Sequence, residues 1–433
     1  MKKSRFILLI LIAVLACLLR LWHIHYPIAD WHSWRQSDTA AVARNFLQFG
    51  IDPLRPRYDD LSNIQSGKDN PMGWRMVEFP LYQTMGAILG KLFPQLPLEI
   101  WLRLLTIAAS IGTTIILGFM TGILPAFVFA VLPFSVFYGR TTLPDQFMVF
   151  WAILSLYLIP KHLFFAAISG AVALLAKPTA GFLLFPVVFL LYKNPIRLFV
   201  YSIISVLPLA AWRMWILNFP EGIPVSQWLL NGNGIRFKGA WFHWLFAKRI
   251  GELILGYWGL VPFALGISAF WGVGVLLYFI VFASGNVQHD YYQILIIPAV
   301  SVFVGRGLKK MRPMLAVACF LFMIAFSWYT VRTYYWINHP EIVEAGEVAD
   351  RLLPSEAKVI APYSGDTTFL YQTKRQGWPQ GFDIEDKIRM GATHYVTVSP
   401  TDANGETKDL AGRYTVLIRN EKYAIIDLTR PTK

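Results

Sequence analysis

From residue 6 to residue 331 the chain alternates long apolar runs with short polar or basic breaks. In lipid every backbone N–H and C=O must be satisfied within the protein, so runs of this kind fold as helices. Crossing a bilayer takes about 20 apolar residues, with a range of roughly 17–25. About eleven runs are candidates on that rule: 6–23, 101–120, 122–138, 147–159, 163–175, 180–192, 198–217, 253–269, 272–283, 291–304 and 314–331. Several are short or contain proline, and the pairs flanking Lys177 and Trp271 are the least defined. Composition agrees. Only 15% of residues are charged, against roughly 25% in soluble proteins.

The first residues, Met1-Lys-Lys-Ser-Arg5 and then an apolar run, have the outline of a signal peptide. No small-residue cleavage site follows, and the chain continues through Arg20, Trp22 and His23, so the segment reads as an uncleaved first span. Cys17 and Cys319 both lie in apolar runs and read as buried thiols, with no disulfide framework. A net charge of +13 would suggest nucleic acid for a soluble chain. Here the basic residues are scattered between apolar runs, so topology and anionic lipid headgroups explain them, and no nucleic-acid partner is expected.

Cytoplasmic loops carry the excess of Lys and Arg. With the Lys2–Lys3 end in the cytoplasm, strict alternation puts Lys161 and His162, the 193–197 segment, and the 305–313 loop on the same side. That last loop holds Arg306, Lys309, Lys310 and Arg312. A register error of one span would move all three basic loops outside. The outer side then receives a long first loop, 25–100, and a second, 218–249, with Trp228, Trp241 and Trp244. The first loop contains an amphipathic helical pattern at 39–49 and an apolar run at 81–93, both expected to lie along the membrane surface.

After residue 331 the composition turns polar. The spacing predicts a helix at 340–353 and strands at 358–361, 393–398, 415–418 and 423–427. The chain therefore reads as a polytopic α-helical membrane domain, 1–335, followed by a small soluble α/β domain, 336–433, on the outer face.

This topology gathers Asp30, Asp38, Glu78, Asp145 and Asp290 at outer loops or outer helix ends, with Arg35, Arg140, Lys177, Lys248, Arg249 and His289. Each acid alone has an ordinary explanation: Asp38, Glu78 and Asp145 each precede or open a helix and could cap it or complement its dipole. Lys177 is harder to explain. It stands between two apolar runs on the side that positive residues avoid, and so requires an anion. Charges of both signs near a membrane face suit a site for a charged substrate. No phosphate-binding glycine loop, His-Glu-x-x-His pair, Cys-x-x-Cys or Gly-x-Ser-x-Gly elbow is present.

At these residues the sequence resembles the GT-C superfamily of membrane glycosyltransferases, in the branch of protein O-mannosyltransferases and lipid A aminoarabinose transferases. The ordered stretches that carry the resemblance are HSWRQSDTAAVARNF (32–46), EFPLY (78–82), YGRTTLPD (138–145), LLAKPTA (174–180) and HDYYQILIIP (289–298). Across residues 1–331 it implies a GT-C-like fold and transfer of a hexosyl or pentosyl unit from a polyprenyl-phosphate-sugar donor, on the outer face of a membrane such as the bacterial inner (plasma) membrane. The acceptor would be a glycan, a lipid or a protein. The resemblance maps a catalytic acid to Asp38 and a second to Asp145, with Glu78 in a third conserved segment. Alignment on Ala43-Arg44 puts Arg35 and Gln36 where the family often has two adjacent acids, so Asp30 remains a rival to Asp38. The usual lysine after Glu78 is replaced by Phe79.

In an inverting transfer a carboxylate accepts the acceptor-hydroxyl proton and cations stabilise the departing phosphate. Arg35, Arg140, Lys177 and Arg249 are the candidate phosphate ligands. Tyr82, His289, Asp290 and Tyr292 are the candidate substrate contacts. A divalent metal between acids is compatible with this chemistry, though no ligand set is readable, and no other cofactor is expected. Two other classes fit the same features: a transporter or lipid flippase for an anionic substrate, and a non-catalytic membrane scaffold.

Overall fold

A computed structural model describes residues 3–402 and 405–432. Lys2, part of the basic N-terminal end invoked above, lies outside the described residues. The chain divides into two compact units. One comprises Met1–Ile24, Ile100–Trp215 and Ser226–Tyr335; the other comprises His25–Glu99, Ile216–Val225 and Trp336–Lys433.

The first unit is helical, and every one of the eleven apolar runs contains helix. Continuity is another matter. Among the described residues, five helices are by length and composition long and apolar enough to cross a membrane. Four are Lys3–Leu21, Leu98–Thr121, Pro195–Asn218 and Asp290–Lys310, and the fifth opens at Pro313. Leu260–Gly266 and Ala269–Val281 form a sixth if taken together, bent by 117° at their break. The remaining runs are short or broken. Pro133 divides 122–138 into Ile123–Val131 and Pro133–Tyr138, and Pro186 divides Ala180–Leu183 from Pro186–Leu191. Proline lacks the N–H a helix interior needs and its ring collides with the preceding turn. Asp145–Leu158 and Leu163–Ala176 have 14 residues each, or about 21 Å of helix, against a hydrocarbon core of about 30 Å. Hydropathy thus located these helices without fixing how many cross, and it missed Trp228–Asn231, Gly239–Phe242 and most of His243–Ile254, which fall largely in the stretch read as an outer loop.

Close helix contacts rest on glycine. A Cβ on Gly118 would stand 2.4 Å from Leu9 Cδ1, and one on Gly307 would stand 1.7 Å from the carbonyl oxygen of Pro262. Small residues at such crossings let backbones approach, as in membrane bundles generally. The basic ends are tied locally. Arg306 Nη1 donates to Ser268 Oγ at 3.1 Å, Lys310 Nζ to the Leu265 carbonyl at 2.7 Å, and Arg197 Nη2 to the Ile159 carbonyl at 3.3 Å. Arg20, placed in the first apolar run, is fully buried and donates to the carbonyls of Ala16 and Ala130 and to Ser135 Oγ. Those acceptors are what make a charge at that depth tolerable. Cys17 and Cys319 are free thiols; Cys319 is buried, but Cys17 is only partly so. With its apolar helices the chain is an integral membrane protein.

The second unit is built on a five-stranded sheet of order β2-β1-β3-β5-β4: β1 Val359–Ile360, β2 Gly377–Trp378, β3 His394–Thr397, β4 Tyr414–Arg419 and β5 Ala424–Pro431. The β1–β2 and β1–β3 pairs are parallel, and β5 runs antiparallel to both β3 and β4. Four of these strands and the Pro340–Leu352 helix fall where the sequence pattern predicts them. The two-residue β2 was not legible. Val359, Phe369, Leu370, Val396 and Ile425 form its core with Ala345 and Ala349.

Sequence inspection separated 25–100 from the C-terminal domain, yet the two segments pack as one unit. Residues 59–61 lengthen the sheet beyond β2: Leu61 N–H donates to the Gly377 carbonyl at 2.8 Å, and Gly377 N–H to the Asp59 carbonyl at 2.8 Å. The Ser33–Phe49 helix packs against the Leu81–Leu92 helix and the Thr367–Gln372 helix. It is also buried nearly all round, with Arg35 through Ala43 each inaccessible, whereas an amphipathic surface helix would expose one face.

Candidate functional site

The candidate residues divide between the two units. In the second unit, Asp38 was read as standing before a helix that starts at Thr39. The helix instead starts at Ser33, after His32 in a left-handed conformation (φ 53°), so Asp38 is an interior helical residue and cannot be its cap. Only 1% of Asp38 is exposed. Its Oδ2 meets Arg75 Nη2 at 2.8 Å and Gln65 Nε2 at 3.4 Å, and its Oδ1 accepts from Thr367 Oγ1 at 2.7 Å. Thr367 is fixed by local sequence: it is the first residue of a helix capped by Asp366, whose Oδ1 accepts from Thr368 N–H at 2.7 Å. Arg75 also lies over the Tyr58 ring, 4.9 Å from its centroid.

Glu78 does not cap the Leu81–Leu92 helix either. Both its oxygens accept from Arg35 Nη2, at 2.9 and 2.8 Å, and Gln83 Nε2 donates to Oε1 at 3.1 Å. Arg35, a candidate phosphate ligand, therefore already has a carboxylate. Asp30 Oδ1 accepts from Gln36 Nε2 at 2.8 Å. Tyr82 lies on the buried side of the Leu81–Leu92 helix.

A neighbouring charge cluster in this unit was not anticipated. Arg44 pairs with Asp59, donates to the Tyr371 carbonyl at 3.0 Å and lies 4.2 Å from the Tyr371 ring centroid. Burial pushes the Asp59 carboxyl up to about 6, against the opposing pull of Arg44. Burial likewise pushes Asp60 up to about 6, although its Oδ1 accepts from Ser62 N–H at 2.8 Å.

In the first unit Asp145 is the opening residue of the Asp145–Leu158 helix, where an acid complements the dipole. Its Oδ1 lies 2.8 Å from Lys177 Nζ. This is the anion that the odd placement of Lys177 demanded. Asp145 Oδ2 is buried without a hydrogen-bond partner. Lys177 Nζ also stands 5.3 and 5.6 Å from the ring centroids of Tyr291 and Tyr292. The His289 ring stacks on Tyr291 at 5.5 Å and meets Trp228 edge-on at 5.8 Å.

Asp290 is fully buried. The hydroxyls of Tyr138 and Tyr334 donate to Oδ1 and Oδ2, and Arg249 Nη1 is 3.9 Å from Oδ2. Arg249 further donates to the Val287 carbonyl at 2.9 Å. Arg140 is also fully buried; it donates to the His23 carbonyl at 3.3 Å and lies 4.7 Å from the Tyr335 ring centroid. Lys177 Nζ, a three-donor ammonium, makes one 2.8 Å hydrogen bond, to Asp145.

Against solved structures the chain matches ArnT from Cupriavidus metallidurans along nearly its whole length. The apo form gives a TM-score of 0.65 at 12% identity, covering 96% of this chain and 97% of that one. The same protein bound to undecaprenyl phosphate gives 0.64 at 12%, with 98% of each chain covered. The chain has the GT-C fold.

This GT-C fold is shared at lower similarity with the Archaeoglobus fulgidus oligosaccharyltransferase tethered to an acceptor peptide. There the TM-score is 0.55 at 10% identity, over 96% of this chain and 72% of that one. The archaeal AglB complex with an inhibitory peptide and a dolichol-phosphate gives 0.54 at 11%, over 96% and 73%. No family model matches the sequence, and no curated protein does. Among the described residues, no group of three or more His, Cys, Asp or Glu is placed to hold a metal ion. The candidate acids have cationic, hydroxyl or amide partners.

Proposed function

We propose that this chain transfers a sugar from a polyprenyl-phosphate-sugar donor to an acceptor hydroxyl on the outer face of the membrane, with inversion at the anomeric carbon. The observation that carries the proposal is the end-to-end likeness to ArnT, including the form bound to undecaprenyl phosphate. Asp38 accepts the proton of the acceptor hydroxyl as its oxygen attacks the anomeric carbon. The bond from that carbon to the phosphate oxygen breaks, and the phosphate leaves with the electron pair. Lys177 offers its spare donors to the phosphate, and Arg249 and Arg140 add positive charge in the same unit. Asp145 holds the Lys177 ammonium in place through the 2.8 Å contact. We assign the bacterial inner membrane as the location, with residues 336–433 on the extracytoplasmic side.

The test is reconstitution of the purified full chain with a labelled polyprenyl-phosphate-sugar and an extract of cell-envelope glycans, lipids and proteins. Label in the acceptor together with free polyprenyl phosphate supports the assignment. The 117° break between Leu260–Gly266 and Ala269–Val281 is a feature that transporters also use. Movement of intact donor across the vesicle with no loss of sugar would therefore move the assignment to a flippase.

A further inference from the structure

The first unit contains a cavity of about 940 Å³ that the proposed reaction does not use. One wall is a single face of the Lys3–Leu21 helix, with Arg5, Leu8, Ile12 and Leu15 at helical spacing. From Arg5 to Leu15 the groove runs about 15 Å along the helix axis. The facing wall is apolar and includes Phe119 and Phe127. Gly118 sets the width of the cleft, because it lets Leu9 approach closer than any Cβ would allow.

Two cations close one end. Arg5 begins the helical wall, and Lys309 Nζ stands 3.5 Å from where a Cβ on Gly122 would be. Both are exposed, and no acid lines the cavity. Among the described residues neither makes an ion pair or side-chain hydrogen bond, in contrast to the partnered cations Arg20, Lys177, Arg249, Arg306 and Lys310. The cavity also joins the N-terminal end, the 118–124 turn and the 305–313 loop, three ends that the basic-loop register assigns to the cytoplasmic side. Anionic lipid is attracted to basic groups at that surface, and basic pockets between spans hold anionic headgroups.

We propose that this cleft is a binding site for an anionic glycerophospholipid of the surrounding bilayer. Its phosphate bridges Arg5 and Lys309, and an acyl chain lies along Leu8, Ile12 and Leu15 against Phe119 and Phe127. Charge complementarity selects the occupant: an apolar trough with two unpaired cations at one end and no anion fits an amphiphile whose single charged end is negative. A zwitterionic lipid adds a cation that has no partner there.

The experiment uses the full chain, delipidated in a neutral detergent, with thermal unfolding read on addition of dioleoyl-phosphatidylglycerol or dioleoyl-phosphatidylcholine. The expected result is a rise in Tm of about 2–4 °C with the anionic lipid alone. The rise disappears in the double variant Arg5→Gln/Lys309→Gln. A second variant at another lining residue, Leu11→Trp, fills the trough without altering charge and also removes the rise, so the proposal stays testable if the charge variant folds poorly. An equal effect of the two lipids, or an undiminished effect in both variants, overturns the site. Displacement of labelled phosphatidylglycerol by equimolar undecaprenyl phosphate overturns the choice of occupant, since the cleft would then be a polyprenyl-lipid site.

Discussion

Lys177 Nζ lies 2.8 Å from Asp145 Oδ1, while the second oxygen of that buried carboxylate has no partner. Removing one member of a buried pair strands the other, at a cost of about 3–5 kcal/mol. Lys177→Ala should therefore lower thermal stability and raise KM for the polyprenyl donor. The double variant Asp145→Asn/Lys177→Met should regain much of the stability, because no charge is left stranded, yet keep the donor defect. A double variant with normal donor kinetics would remove the pair from the site and leave it a structural device.

Asp38→Asn should lower turnover by about 10²–10⁴-fold, the usual contribution of a general base. Because Arg75 and Thr367 both hold Asp38, some loss of stability is expected as well. Thr367→Val separates the two effects: it removes one hydrogen bond and leaves the carboxylate charged, so its activity should fall by far less than that of Asp38→Asn. Asp30→Asn, compared at matched expression, should stay near wild type. An inactive Asp30→Asn beside an active Asp38→Asn would transfer the base assignment to Asp30.

Asp60 gives a prediction in pH. Burial raises its carboxyl from 3.8 to about 6. Below 3.8 the acid is protonated in both folded and unfolded chains, and burial carries no electrostatic penalty. As pH rises to about 6 the unfolded chain ionises first, so the stability contribution present at low pH is progressively lost. Asp60→Asn retains an acceptor for Ser62 N–H and cannot ionise. The fall in Tm across this window should be shallower in the variant, and the variant should be the more stable of the two at pH 7. Parallel Tm profiles would show that Asp60 does not titrate as described.

Topology can be read by cysteine labelling in a background lacking Cys17 and Cys319. Gly365 is a poor reporter position, since its φ of +80° penalises any side chain. Glu421 is exposed and carries no such strain. Glu421→Cys should react with an impermeant maleimide in intact cells, and Lys310→Cys only after the cytoplasm is opened. The reverse pattern would invert the membrane orientation and with it the assigned side of transfer.

What the sequence disclosed tracks what is local. Each of the eleven apolar runs contains helix, and prolines such as Pro133 and Pro186 break two of them, whereas His243–Ile254 lies almost wholly outside any run. Lys177 announced an anion by standing where a bare cation is expensive, and Asp145 supplied it. The start of the Asp38 helix was missed because Trp34-Arg-Gln-Ser37 has no apolar period; tertiary burial, rather than amphipathic pattern, makes those residues helical. The partners of Asp38 were illegible for a different reason. Thr367 lies 329 residues away, and no local rule links a threonine opening one helix to a carboxylate inside another. Asp290 was similarly seen as an acid beside aromatic residues, while the hydroxyls that hold it come from 152 and 44 residues away.

The pairing of residues 59–61 with Gly377 also sets a timetable for biosynthesis. At about 5–20 residues per second, the ribosome needs on the order of 15–60 s to move from the first partner to the second. Throughout that interval the segment bearing Asp38 has left the ribosome without the sheet edge it joins or the threonine it binds. A nascent chain stopped before the last hundred or so residues would carry its membrane helices in full and still lack a finished Asp38 environment. The Asp38 surroundings are therefore assembled late, once the strand that begins at Gly377 and the helix that begins at Thr367 have been made.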